Sequence, residues 1–132
     1  LVNGVFVTPT VPLATTRASI WEQIKDLRDA KTQEGGYTTG GKWYHSDTFS
    51  RTQQIGLVMM GAGIPANTLW KTMDGSFVAM TQTLAGEIFA AAAAQDFAMF
   101  GYAEALKSQV DASSDPAAID IDAGWPETYQ GA

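Results

Sequence analysis

The sequence predicts a single α+β domain: a helical core with a long C-terminal alanine-rich helix, two short β-hairpins and an extended N-terminal arm. Three observations predict it. Two β-favouring runs turn around Gly40-Gly41 and Asp74-Gly75, and each follows a stretch with helical signals. An alanine-dense segment extends from Thr81 to about Ala112. Pro9 and Pro12 interrupt a Val-rich start, which confines any strand there to a sheet edge because proline donates no ladder hydrogen bond. The expected organisation is an arm over 1–16, a compact domain over 17–128 and a polar tail over 129–132.

After the arm, Thr16 or Ser19 is positioned to cap the first helix, and Ser19 with Glu22 has capping-box spacing. Ile20, Ile24, Leu27 and Lys31 form its stripe with Trp21 beside it, and Gly35-Gly36 ends it. Tyr37 to Tyr44 reads as a hairpin whose paired glycines supply positive φ. Ser46 or Asp47 caps a second helix to Met60, with Phe49, Ile55, Val58 and Met59 as its apolar residues and Gly61, Gly63 and Pro65 as its stop. Trp70 to Met80 repeats the hairpin, with Asp74 and Gly75 expected at the centre of the turn.

Thr81 or Thr83 caps the longest helix, about 45 Å at 1.5 Å per residue. Leu84, Ile88, Ala92, Met99, Ala103, Leu106 and Val110 mark its buried face, and Phe89, Phe97 and Phe100 are expected to widen it. Ser113 to Pro116 stops the helix, and a short turn follows over 117–119. Trp125-Pro126 is the one apolar anchor expected in the tail.

Composition narrows the function. At 132 residues and 45% hydrophobic the chain can bury one core. The net charge is −6, with five acids and no bases from Asp111 onward, so the body is almost neutral. Scattered Lys and Arg argue against a phosphate-binding face, and no nucleic-acid partner is expected. Without cysteine there is no disulfide framework and no thiolate metal site. The longest apolar run, 88–94, is too short to span a bilayer, and no signal-peptide pattern opens the chain, so a soluble protein without membrane insertion is expected. The start at Leu1 without an initiating Met is compatible with truncation or processing.

Chemistry is sparse. His45, the single histidine, has no cysteine to activate, and the serines near it belong to a turn and a cap. Asp115, Asp120, Asp122 and Glu127 lack the spacing and turn glycine of a calcium loop and read as solvated acids. Gly35-Gly36 and Gly61-Ala-Gly63 do not follow a strand and lead into a helix beside a Lys, as a phosphate loop would. We expect no catalysis, no metal and no cofactor. Trp43, Tyr44, Trp70 and Phe77 form either the packed face of a small sheet or a platform for stacking a sugar.

Gly35-Gly-Tyr37, Gly41-Lys-Trp-Tyr-His-Ser-Asp47, Phe49-Ser-Arg-Thr-Gln-Gln54 and Trp70-Lys-Thr-Met-Asp-Gly-Ser-Phe77, taken in order with the closing Gly124-Trp-Pro126, resemble a small domain of unknown function found in bacteriophage tail-tip and tail-fibre proteins. The resemblance covers roughly residues 20–128 and carries no catalytic residue across. It implies a structural or adaptor component of a phage tail, at the tip, baseplate or fibre, made in the host bacterial cytoplasm and located in the virion. Its partners would be other tail or fibre subunits, or further copies of itself. A fibre-assembly chaperone and a module binding a host-surface glycan are the alternatives. The expected contact residues are Val5, Phe6, Val7 and Val11 in the arm, where strand addition to a neighbour is available, and Trp43, Tyr44 and Trp70 in the hairpins.

Overall fold

A computed structural model describes residues 11–131. Three helices and two separate antiparallel hairpins make an α+β fold. The order is α1 (Leu13–Glu34), β1 (Tyr37–Thr39), β2 (Lys42–Tyr44), α2 (Thr48–Met60), β3 (Leu69–Lys71), β4 (Phe77–Ala79) and α3 (Gln82–Ala112). Single 3-10 turns follow α2 at Gly61–Gly63 and α3 at Pro116–Ala118.

Helix α1 begins a turn earlier than its capping signals suggest. The Pro12 carbonyl accepts the amides of Thr15 and Thr16, at 3.0 and 3.1 Å, and residues 13–16 are therefore helical and not part of an extended arm. A proline just ahead of a helix costs nothing there, because the first amides have no intrahelical partner. Residues 1–10 of the expected arm lie outside the described residues.

Two residues with positive φ, Gly40 at 60° and Gly41 at 81°, close the first hairpin in the register Tyr37 to Tyr44. The second hairpin departs from expectation. Its four-residue turn runs from Thr72 to Gly75, closed by the Gly75 amide on the Thr72 carbonyl at 3.0 Å. Met73 and Asp74 are therefore the central pair. Gly75, at φ 85°, is the left-handed residue that lets the Thr72 amide reach the Ser76 carbonyl at 2.8 Å. A five-residue loop of this kind places Gly after the turn, as a bulge, where a two-residue loop would place it within. The hairpins meet where the Met73 amide donates to the Trp43 carbonyl at 2.9 Å.

The caps follow the sequence. Asp47 accepts the Ser50 amide at 3.1 Å to start α2, and Thr81 accepts the Leu84 amide at 3.1 Å to start α3. Helix α3 is the spine of two hydrophobic clusters where one core was expected. Its first half packs Ala85 and Ile88 against Tyr37, Tyr44 and Met80; its second half packs Ala103, Leu106 and Val110 against Ile20 and Ile24 of α1. Met99, fully buried, lies on α3 between them.

The C-terminal segment is more firmly held than a polar tail with a single anchor. Ile119 and Ile121 join Trp125 against the α1–α3 cluster. The Tyr129 amide donates to the Gly35 carbonyl at 2.8 Å, and Gln95 donates to the Glu127 carbonyl at 2.8 Å. The chain thus returns across the end of α1 to the root of the first hairpin.

Candidate functional site

The residues that stand out in the sequence between Gly35 and Gln54 assemble into one inward-facing polar network. Tyr37 points its hydroxyl at Gln54, donating to the side-chain oxygen, while the Gln54 amide nitrogen donates to the His45 carbonyl at 2.8 Å. Ser46, buried, accepts the Gly36 amide at 2.9 Å. Arg51 forms a two-pronged pair with Asp96 of α3, at 2.8 and 2.9 Å, and its remaining guanidinium N–H groups reach the carbonyls of Ser46 and Thr32. The same guanidinium lies over the Tyr37 ring, 5.3 Å from its centroid.

The network explains why α2 turns polar residues inward. Arg51 and Gln54 satisfy loop carbonyls and a buried phenol that would otherwise be left without partners, a requirement stronger than the burial of any one aliphatic side chain. The apolar residues of α2 lie outward: Phe49 is 72% exposed and Met59 82%, and Ile55 and Val58 are also on the surface. On α3 the phenylalanines do not widen the core either. Phe89 and Phe100 are half-exposed and Phe97 is 78% exposed.

A cleft of about 250 Å³ opens between α2 and α3, bordered by Ile55, Phe89 and Ala93 and by the Arg51–Asp96 pair. Its polar groups are committed to one another. Burial pushes the Tyr37 phenol up, an effect that the neighbouring Arg51 charge and the Gln54 hydrogen bond offset in part, so it stays neutral at physiological pH. The hydrogen bonds from Arg51 to Asp96 raise the guanidinium pKa further and fix it as a cation.

The second motif, from Trp70 to Phe77, builds a turn. Asp74 accepts from Thr72 at 2.6 Å and from the Ser76 amide and hydroxyl at 2.8 and 2.6 Å, and Lys42 of the first hairpin reaches it at 3.1 Å. These donors, those of Ser76 foremost, hold its carboxyl far below the usual range. Asp47 is likewise held low by the Ser50 side chain and amide.

Of the residues expected to make contacts, Val5, Phe6 and Val7 lie outside the described residues, and Val11 is exposed. Trp43 is half-buried, its ring 6.3 Å from that of Tyr129, and Trp70 is half-buried against the hairpin cluster. Tyr44 is a correction: at 1% exposure its ring is a core element and cannot meet a partner. It faces inward because its strand pairs it with Tyr37, and both rings close over Ala85 and Ile88. The sequence reading missed Phe49, Met59 and Phe97 as surface residues. For Phe97 a signal existed, since it falls at i+8 from Phe89 and off the Ile88–Met99–Ala103 line.

Among the described residues no group of three His, Cys, Asp or Glu side chains is gathered where a metal ion could be held. Asp120 accepts the Asp122 amide at 2.9 Å in a local turn. No helix among them is long and apolar enough to cross a membrane.

Fold and network together define a small α+β scaffold whose distinctive polar residues face inward and whose phenylalanines, among the described residues, face outward. Residues 15–123 match the family described as Domain of unknown function (DUF4376), and the chain belongs to that family. No curated protein and no solved structure matches the chain.

Proposed function

We propose that this chain is a non-catalytic structural or adaptor component of a bacteriophage tail, acting through protein contacts at the tip, baseplate or fibre. One observation carries the contact part of the reading: the motif residues are spent on internal hydrogen bonds, while Phe49, Met59 and Phe97 are presented to the outside. Exposed rings and thioethers at this density are characteristic of surfaces that become covered. The tail assignment rests on the ordered resemblance of the hairpin and helix motifs. A sugar platform is disfavoured by the burial of Tyr44, which leaves Trp43 and Trp70 as half-covered rings on different hairpins.

Complementation in the phage tests the reading. Phe49→Asp and Met59→Asp should leave the melting temperature of the purified chain unchanged, because neither side chain is packed, yet reduce the yield of infectious particles. Full infectivity from both surface variants would refute a role through this face.

A further inference from the structure

We infer that the outer flank of α3 is a self-complementary interface at which two copies of this chain pair antiparallel. Phe89, Ala93 and Phe97 follow each other at i, i+4 and i+8, with Gly86, Ala90 and Phe100 on the same side of the helix. Phe97 is 78% exposed, Phe89 51% and Phe100 49%. Ile55 borders the cleft beside Phe89, and Met59 follows one turn along α2.

Area argues for a protein occupant. With an aromatic side chain presenting about 150–250 Å², the three rings alone expose roughly 350 Å². Ile55, Met59 and the exposed small residues of α3 bring the face to the order of 800 Å², one partner's share of a standard stable interface and more than a monomer ordinarily leaves open.

The pattern along the flank argues that the occupant is a second copy. Gly86, Ala90 and Ala93 lie to one side of Phe89 at the first end of the stripe, and the most exposed ring, Phe97, stands at the other. An antiparallel two-fold arrangement seats Phe97 of each copy between Gly86 and Ala90 of the other, so one contact is made twice. That register brings Ala93 next to the two-fold axis. It also sets Glu104, exposed on the same stripe, beside the start of α3 in the other copy, near Thr81, where unpaired amides favour a carboxylate. Asp96 does not oppose the approach, because Arg51 neutralises it within each copy. The acidic C-terminal segment is held at Gln95 and Tyr102, on the side of α3 turned away from the stripe. This inference stands apart from the tail reading: a dimer would form whether or not the chain serves in a phage.

Sedimentation velocity of the 132-residue chain, from micromolar to submillimolar concentration, tests it. The expected result is a monomer–dimer equilibrium whose association weakens about 30-fold or more in Phe97→Asp, as for a central aromatic contact. Ala90→Glu should act alike, so the test does not hang on one variant. Phe77→Asp, exposed on β4 and off the stripe, should leave the equilibrium unchanged. The chain has no cysteine, so single-cysteine variants report geometry directly. Ala93→Cys should cross-link to itself on oxidation. Gly86→Cys, whose added Cβ meets no neighbour among the described residues, should not, because the register separates the two copies by roughly 20 Å. A monomer at every concentration, a dimer indifferent to Phe97→Asp and Ala90→Glu, or cross-linking at Gly86 in preference to Ala93 would overturn the inference.

Discussion

Gln54 has both ends of its amide engaged inside the protein, accepting from Tyr37 and donating to the His45 carbonyl. Gln54→Leu removes both partners at once and should cost about 1–3 kcal/mol, measured by denaturant unfolding. Adding Tyr37→Phe should cost less in that background than in the parent, because the orphaned hydroxyl goes with it; strictly additive losses would show that the two side chains do not act as a pair. Gly36 makes a second sharp comparison. At φ 73°, a Cβ there would clash with the Met73 sulfur and meet the Tyr44 carbonyl oxygen at 2.9 Å, whereas at Gly75, φ 85°, it would meet none of the described residues. Both alanine variants carry backbone strain of about 1–3 kcal/mol, and only Gly36→Ala adds a clash with backbone, so its melting temperature should fall further. The caps set the acid limit. Asp47 and Asp74 are held below the ordinary carboxylate range by their donors. Their contribution is therefore complete above that range and is lost as pH falls from about 4 towards their folded values. Thermal melts should decline below about pH 4, and Asp47→Asn, which can still cap, should show a shallower decline.

The individual elements were largely legible in the sequence, because glycine pairs, caps and helix stops act locally. Gly40-Gly41 fixes its turn, Asp47 and Thr81 start α2 and α3, and Gly35 closes α1. What was not legible is which way each helix faces. On α2 the sequence names the apolar residues, but the inward direction is decided by Asp96, 45 positions away from Arg51, and by carbonyls of a loop whose path no local rule gives. Likewise the Asp74-Gly75 pair marked a turn correctly while leaving open whether Gly75 lies within it or after it, a choice made by loop length. The spine makes a testable claim of its own. Ala91 and Ala92 pack against the hairpin cluster. Ala92→Leu should overpack this site and cost about 1–3 kcal/mol, while Ala98→Leu, at an exposed position, should be close to neutral. Equal melting temperatures for the two variants would contradict the packing assigned to α3.

The whole molecule is organised around α3, with α1 and the returning C-terminal segment on its second half and the hairpins with α2 on its first. We propose that the Val-rich segment over 1–10 supplies an edge for tail partners, so that removing it leaves the core folded and weakens assembly. We propose that a scaffold with its polar motif turned inward and the phenylalanines of residues 11–131 turned outward serves as a built-in part of a tail. Quantitative mass spectrometry of purified, infectious particles tests it most directly. The account predicts peptides of this chain at a fixed copy number per virion, retained through gradient purification and high salt; their absence from finished particles, with the chain abundant in the infected-cell lysate, would contradict it.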